Sequence, residues 1–234
     1  MKTESTFPKI ISYPNDQWIE SVSREIQNTI LSTIETKGSC DLMLTGGRTA
    51  GLLYKYWKDS ASLPIKNIRF WFGDERCVPP DHPESNYGLV IRTLLSDSPD
   101  AVIARMEGED PDMDASALRY ERLLPIQIDV MLLGLGEDGH IASLFPNDDA
   151  LNSKNRSVLH VVGSKLPKNR ITVTPRVIRN TKFIYVLAFG EEKGKVLSKA
   201  LEDLDDYRSL PVRLTRKGTW LLDEFAAKSI RIEK

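Results

Sequence analysis

Asp138-Gly139-His140 is the sharpest chemical feature of this chain. It lies in LLGLGEDGHIASLFP, residues 132–146, and His140 is one of only three histidines in 234 residues. The apolar run Val130-Met131-Leu132-Leu133 ends in Gly134-Leu135-Gly136 and then presents a carboxylate two residues before an imidazole. A lone histidine is more often structural than catalytic. This one follows a glycine-rich turn, and an imidazole with an ordinary pKa of about 6.5 accepts a proton at neutral pH while a nearby carboxylate orients it. No Gly-x-Ser-x-Gly nucleophile elbow is present. Ser143, close behind His140, is weak evidence for covalent catalysis by itself, so a histidine that activates water is the favoured reading. His82 and His160 read as ordinary residues of a loop and a strand.

Three further constellations could serve such a base. Gly46-Gly47-Arg48-Thr49 links an apolar stretch to a helical one, and glycines there let backbone amides approach an anion at a helix start. A bare turn that binds nothing explains the loop alone equally well. It is neither a Walker loop, lacking Gly-Lys-Ser/Thr, nor a dinucleotide fingerprint, lacking the third glycine. Asp74-Glu75-Arg76 groups three charges after an aromatic strand. A solvated loop with internal ion pairs is the blander account of it, though its position after a buried strand favours a functional one. Lys193 falls in the first turn of a helix after VLAFG. Most single lysines belong to the surface, but at a helix N-terminus its ammonium reinforces an anion site.

The elements that must position these residues follow from periodicity. Trp18, Ile19, Val22, Ile26, Ile30 and Ile34 predict an amphipathic helix over 15–35, with Gly38 as its C-cap. Strands are predicted at 41–45, 68–72, 129–133, 157–162, 170–174 and 182–189, and helices at 49–57, 84–95, 115–124 and 191–204. Residues 97–113 read as an irregular excursion, and 220–227 as a short strand or turn and a helix. Alternating strands and helices imply βαβ units and a mostly parallel sheet covered on both faces. Ligands collect beyond the carboxyl ends of such strands, where all four constellations fall. No linker divides the chain, which predicts a single domain over 1–234.

Composition narrows the classes. Hydrophobic residues make up 41% and charged residues 28%, with a net charge of −1, so nothing neutralises a phosphate backbone and a nucleic-acid partner is disfavoured. Cys40 and Cys77 follow no metal spacing and form no disulfide framework. No apolar run spans a bilayer and MKTESTFPKI lacks the apolar stretch of a signal peptide. A cytoplasmic protein without a membrane partner is expected, a monomer or weak homodimer.

Together these segments resemble the 6-phosphogluconolactonase family over nearly the whole chain. LLGLGEDGHIASLFP is similar to that family's signature, and FWFGDERCVPPDHPESNYG to a second one. RITVTP, FGEEKGKVL and TWLLDEFAA resemble its Arg-Ile-Thr, Gly-x-x-Lys and Trp-x-x-Asp-x-x-Ala segments. Where the family has Gly-Gly-Ser-Thr-Pro, this chain has Gly46-Gly47-Arg48-Thr49-Ala50.

The resemblance implies a Rossmann-like three-layer αβα sandwich. It also implies hydrolysis of 6-phospho-D-glucono-1,5-lactone, a phosphorylated sugar lactone, in the oxidative pentose phosphate pathway, with no cofactor and no metal. His140 would deprotonate the attacking water and then protonate the leaving ring oxygen, with Asp138 orienting His140 or the sugar hydroxyls. Gly46, Gly47, Arg48, Thr49 and Lys193 would hold the phosphate. Arg76 and Arg170 would hold the phosphate or the developing oxyanion. The competing readings are an amino-sugar-phosphate deaminase or isomerase with Asp74 as base, and a non-catalytic sugar-phosphate sensor. Retention of His140 and absence of a DNA-binding extension argue against the sensor.

Overall fold

The computed structural model describes residues 7–230. In chain order its elements are β1 (Lys9–Tyr13), α1 (Trp18–Lys37), β2 (Cys40–Leu44), α2 (Arg48–Asp59), β3 (Ile68–Phe72), β4 (Asp74–Arg76), α3 (Asn86–Val90), β5 (Val102–Ile103), α4 (Met113–Leu123), β6 (Val130–Gly134), β7 (Val158–Val162), β8 (Asn169–Val173), α5 (Pro175–Arg179), β9 (Phe183–Ala188), α6 (Glu191–Glu202), β10 (Thr219–Asp223) and α7 (Glu224–Lys228). Seven strands form one parallel sheet in the order β1-β10-β9-β6-β2-β3-β5.

The central strands are apolar at consecutive positions because both faces of the sheet are covered. On one face Leu42, Leu44, Val130 and Leu132 pack with Trp18 and Ile26 of α1 and with Tyr54 and Trp57 of α2. On the other, Met43, Met131 and Leu133 join Tyr120 of α4, Leu197 of α6 and Ile171 of β8. Helix α1 buries the three-and-four stripe read from sequence, and the Gly38 amide closes it onto the Ile34 carbonyl at 2.7 Å. The predicted three-layer α/β fold is the observed one.

Several local expectations change. Asp74-Glu75-Arg76 is not a solvated loop: it is strand β4, paired antiparallel with β8, and β8 pairs antiparallel with β7. The strands expected at 157–162 and 170–174 therefore belong to a second, three-stranded sheet and not to the parallel one. Glu75 shows why three charged residues can lie there. Its buried carboxylate accepts from the peptide N–H groups of Arg76, Asn86 and Tyr87 and from Ser85 Oγ, at 2.7–3.1 Å. Strand β1 and the short helix α5 were not anticipated. Short β5 lies inside the supposedly irregular excursion, and the helix expected over 84–95 begins at Asn86 and widens into a π turn at Ile91–Leu95.

The topology locates the site. From β2 the chain builds outward through β3 to β5, then returns to the other side of β2 to place β6, β9 and β10. Strand order thus reverses between β2 and β6, and the crevice beyond their carboxyl ends is where such sheets bind ligands.

Candidate active site

Two tyrosines fix the strand ends from which the site is built. Tyr54 of α2 donates its hydroxyl hydrogen to the Thr45 carbonyl at 2.7 Å and accepts the Thr45 N–H at 3.0 Å. Tyr120 of α4 does the same for Phe72 at the end of β3. Across the switch point, Thr45 Oγ1 accepts the Gly134 N–H at 3.2 Å, tying the exit of β2 to that of β6.

Beyond β6 the chain folds back on itself. Gly136 N–H donates to the His140 carbonyl at 2.8 Å and Gly139 N–H to the Gly136 carbonyl at 3.1 Å. This tight loop sets His140 Nδ1 2.5 Å from Asp138 Oδ1. A Cβ on Gly136 would overlap Nδ1 and Cε1 of the His140 ring and sit 2.6 Å from Asp138 Oδ1. The second glycine after the strand is therefore required by the dyad itself, which occupies the space a side chain would need. Burial pushes the Asp138 carboxyl up, but the hydrogen bond to His140 and the charge of the imidazole outweigh it and carry the group down to about 2. An ionised Asp138 can only accept, so in the neutral ring Nδ1 carries the hydrogen it donates to Oδ1 and the Nε2 lone pair is available as a base. Phe145 supports the ring, with centroids 5.0 Å apart.

Ser143 is placed for a structural role and not for covalent catalysis. It is fully buried, and its hydroxyl donates to Asp74 Oδ2 at 2.7 Å. It ties the histidine loop to β4 and has no access to a substrate carbonyl. Asp74 Oδ1 accepts from Asn86 Nδ2 at 3.2 Å, so both carboxylate oxygens are held.

The anion-seeking residues meet the same cleft. Gly47 caps α2, leaving exposed Arg48 and half-buried Thr49 in the first turn. Lys193, half-buried in the first turn of α6, has its pKa lowered by burial, against the raising influence of Glu137 and Asp138. Gly190, the cap of α6, donates its N–H to Asp223 Oδ1 at 2.9 Å, and the same oxygen caps α7 through Ala226 N–H. Arg76 and Arg170 are directly opposed across β4 and β8. Burial, then the charge of Arg76, lowers the Arg170 pKa. Glu84 pairs with Arg76 Nη1 at 3.2 Å, and the charges of Asp74, Glu84 and Glu75 offset part of the repulsion between the two guanidiniums.

The cleft holds 340 Å³, within the range of about 300–1,000 Å³ usual for small-molecule sites. Its walls include Gly46, Gly47, Arg48, Thr49, Asp74, Arg76, His140, Arg170 and Lys193, so the residues singled out in sequence converge, with Asp138 behind His140. Among the lining residues that sequence does not single out are the polar Asn86 and Lys165. Asn86 is signalled only by the Ser-Asn-Tyr helix start, and Lys165 sits in a hairpin loop whose polar composition resembles that of any other. Among the described residues no group of three or more His, Cys, Asp or Glu side chains is placed to hold a metal ion. No helix among them is long and apolar enough to cross a membrane. A larger groove of 1040 Å³ is lined by the starts of β1, β9 and β10, but its Arg213 and Arg216 are engaged by backbone carbonyls and by Asp205.

The profile of the family described as glucosamine-6-phosphate isomerases/6-phosphogluconolactonase matches residues 14–222. The chain belongs to this family. A relative within it, the 6-phosphogluconolactonase of Synechocystis, is 33% identical over 221 residues, covering 88% of this chain and 91% of its own. The 6-phosphogluconolactonase of Mycobacterium tuberculosis is 31% identical and covers 92% and 95%. Among solved structures, 6-phosphogluconolactonase from Trypanosoma brucei superposes with a TM-score of 0.83 at 29% identity, covering 96% of this chain and all of its own. A monomeric glucosamine-6-phosphate deaminase, at 23% identity and a TM-score of 0.79, shares the fold.

Proposed function

We propose that this protein is a 6-phosphogluconolactonase that hydrolyses 6-phospho-D-glucono-1,5-lactone to 6-phospho-D-gluconate, with His140 activating water. The observation that carries this reading is the Asp138–His140 contact at the switch-point cleft, with the cations of that cleft around it. Asp138 holds the Nδ1 proton. His140 Nε2 removes a proton from water as it attacks the lactone carbonyl, and the imidazolium then returns the proton to the ring oxygen as the C–O bond breaks. Ionised Asp138 stabilises that imidazolium. The helix-start amides of the Gly46–Thr49 loop and the Lys193 ammonium hold the phosphate. Arg76 and Arg170 supply a second place for negative charge, on the phosphate or on the developing oxyanion. A lactone is an activated ester, so positioning plus a general base suffices.

The deaminase or isomerase alternative needs a free carboxylate base near the substrate's second carbon. Asp74 is poorly suited, because hydrogen bonds from Ser143 and Asn86 already occupy both of its carboxylate oxygens. The test is acid release from lactone generated in situ, with spontaneous opening subtracted, alongside ammonia release and isomer formation from glucosamine 6-phosphate. Rapid lactone opening without either product from the amino sugar is expected. Turnover of the amino sugar alone would reverse the assignment.

A further inference from the structure

Lys165 lies in the turn between β7 and β8, residues 163–168, exposed and at the lip of the cleft. No hydrogen bond or ion pair among the described residues engages its ammonium. Its turn is nevertheless held. Gly163 N–H donates to the Lys168 carbonyl at 2.8 Å, and Arg170 Nε donates to the Pro167 carbonyl at 2.6 Å. Gly163 is seated on Phe145, where an added Cβ would fall 2.5 Å from the ring, and Phe145 supports His140. The hairpin is therefore docked on the same side chains that build the site.

The cations of the cleft fall into two groups. Arg170 feels Arg76, whereas Lys193 feels Lys165 and Arg48. In the second group, Asp138 is already committed to His140 and only Glu137 offers another negative charge. Lys165 and Arg48 each repel the Lys193 ammonium. A phosphate monoester, carrying about −1.5 to −2 charge at neutral pH, removes that repulsion. We infer that Lys165 is a specificity-determining residue that closes the phosphate subsite from the β7–β8 hairpin, opposite Lys193 and Arg48. The inference rests on the lactonase reading. It adds a charge supplied by the β7–β8 turn to donors that come from the starts of α2 and α6.

The test is steady-state kinetics of Lys165→Ala, Lys165→Arg and Lys165→Glu on the phosphorylated lactone and on unphosphorylated gluconolactone, with inorganic phosphate as competitive inhibitor. Lys165→Ala should raise KM for the phosphorylated substrate about threefold to tenfold with kcat within about twofold, as befits an exposed charge acting on a bound dianion. The inhibition constant for phosphate should rise by a similar factor. Arginine should restore both constants and glutamate should worsen both. Unchanged KM and phosphate inhibition in Lys165→Ala, or equal losses on both lactones, would overturn the inference. A wild-type protein that does not open the phosphorylated lactone would instead overturn the lactonase reading.

Discussion

Replacing Gly136 by alanine tests whether the site depends on the geometry of the dyad and not merely on its residues. Nothing in the backbone at Gly136 calls for a positive φ, so alanine is conformationally permitted. The conflict is purely spatial, because the new methyl overlaps the imidazole and lies 2.6 Å from Asp138 Oδ1. The ring must retreat by about 1 Å or more, and a misplacement of that size at a reacting group costs roughly 10²-fold in rate. Relief is open toward the cleft, since the His140 side chain is 21% exposed. The stability cost is that of ordinary overpacking, about 1–3 kcal/mol, or roughly 2–12 °C in melting temperature for a chain of this size. Gly134→Ala is the matched control, because its methyl would meet Thr45 Oγ1 at an ordinary 3.6 Å. The assay is background-subtracted lactone opening, with thermal melting in parallel. A folded Gly136→Ala protein with wild-type kcat would refute the argument that the glycine exists to make room for the dyad.

Other perturbations follow from the same contacts. With its carboxyl held at about 2, Asp138 stays ionised across any workable pH and holds the ring through Nδ1, so Asp138→Asn, which loses that acceptor's charge, should lower kcat on the phosphorylated lactone by roughly 10²–10⁴; near-wild-type kcat in the folded variant would deny the coupling. Lys193→Ala should lower kcat/KM on the phosphorylated lactone by roughly ten- to hundredfold and affect unphosphorylated gluconolactone much less, whereas equal losses would place the lysine in the fold or the chemistry. Asp223→Ala removes the cap of α7 and the acceptor for Gly190 N–H, and should cost about 1–3 kcal/mol in a thermal or denaturant melt. Because Gly190 begins the helix that carries Lys193, it should also raise KM for the phosphorylated lactone, and an unchanged KM would separate Asp223 from the anion site.

The strands that build the cleft were legible because each is an apolar run stopped by glycine. Strands β2, β3, β6 and β9 fall within a residue or so of their expected places. The same apolar-run logic failed for β4, whose Asp74-Glu75-Arg76 carries no hydrophobic signal. That segment is a strand because Glu75 finds partners at the start of α3, contacts made between segments ten or more residues apart. Strand β1 is half-exposed at a sheet edge, so its alternation is faint. For the site, the residue types and their places at strand ends marked the glycine loop, the dyad and Lys193. Ser143, which sequence offers only as weak evidence for a nucleophile, donates to a buried Asp74, a partner that sequence spacing does not reveal. Lys165 and Asn86 reach the cleft from connections whose course only the packed fold determines.

The most direct test of the central claim is the rate of acid release from freshly generated 6-phospho-D-glucono-1,5-lactone by folded His140→Ala, with spontaneous opening subtracted. A general base contributes about 10²–10⁴ in rate, so the account predicts a loss of that size with an unchanged melting transition. Turnover close to wild type in the folded variant would contradict it.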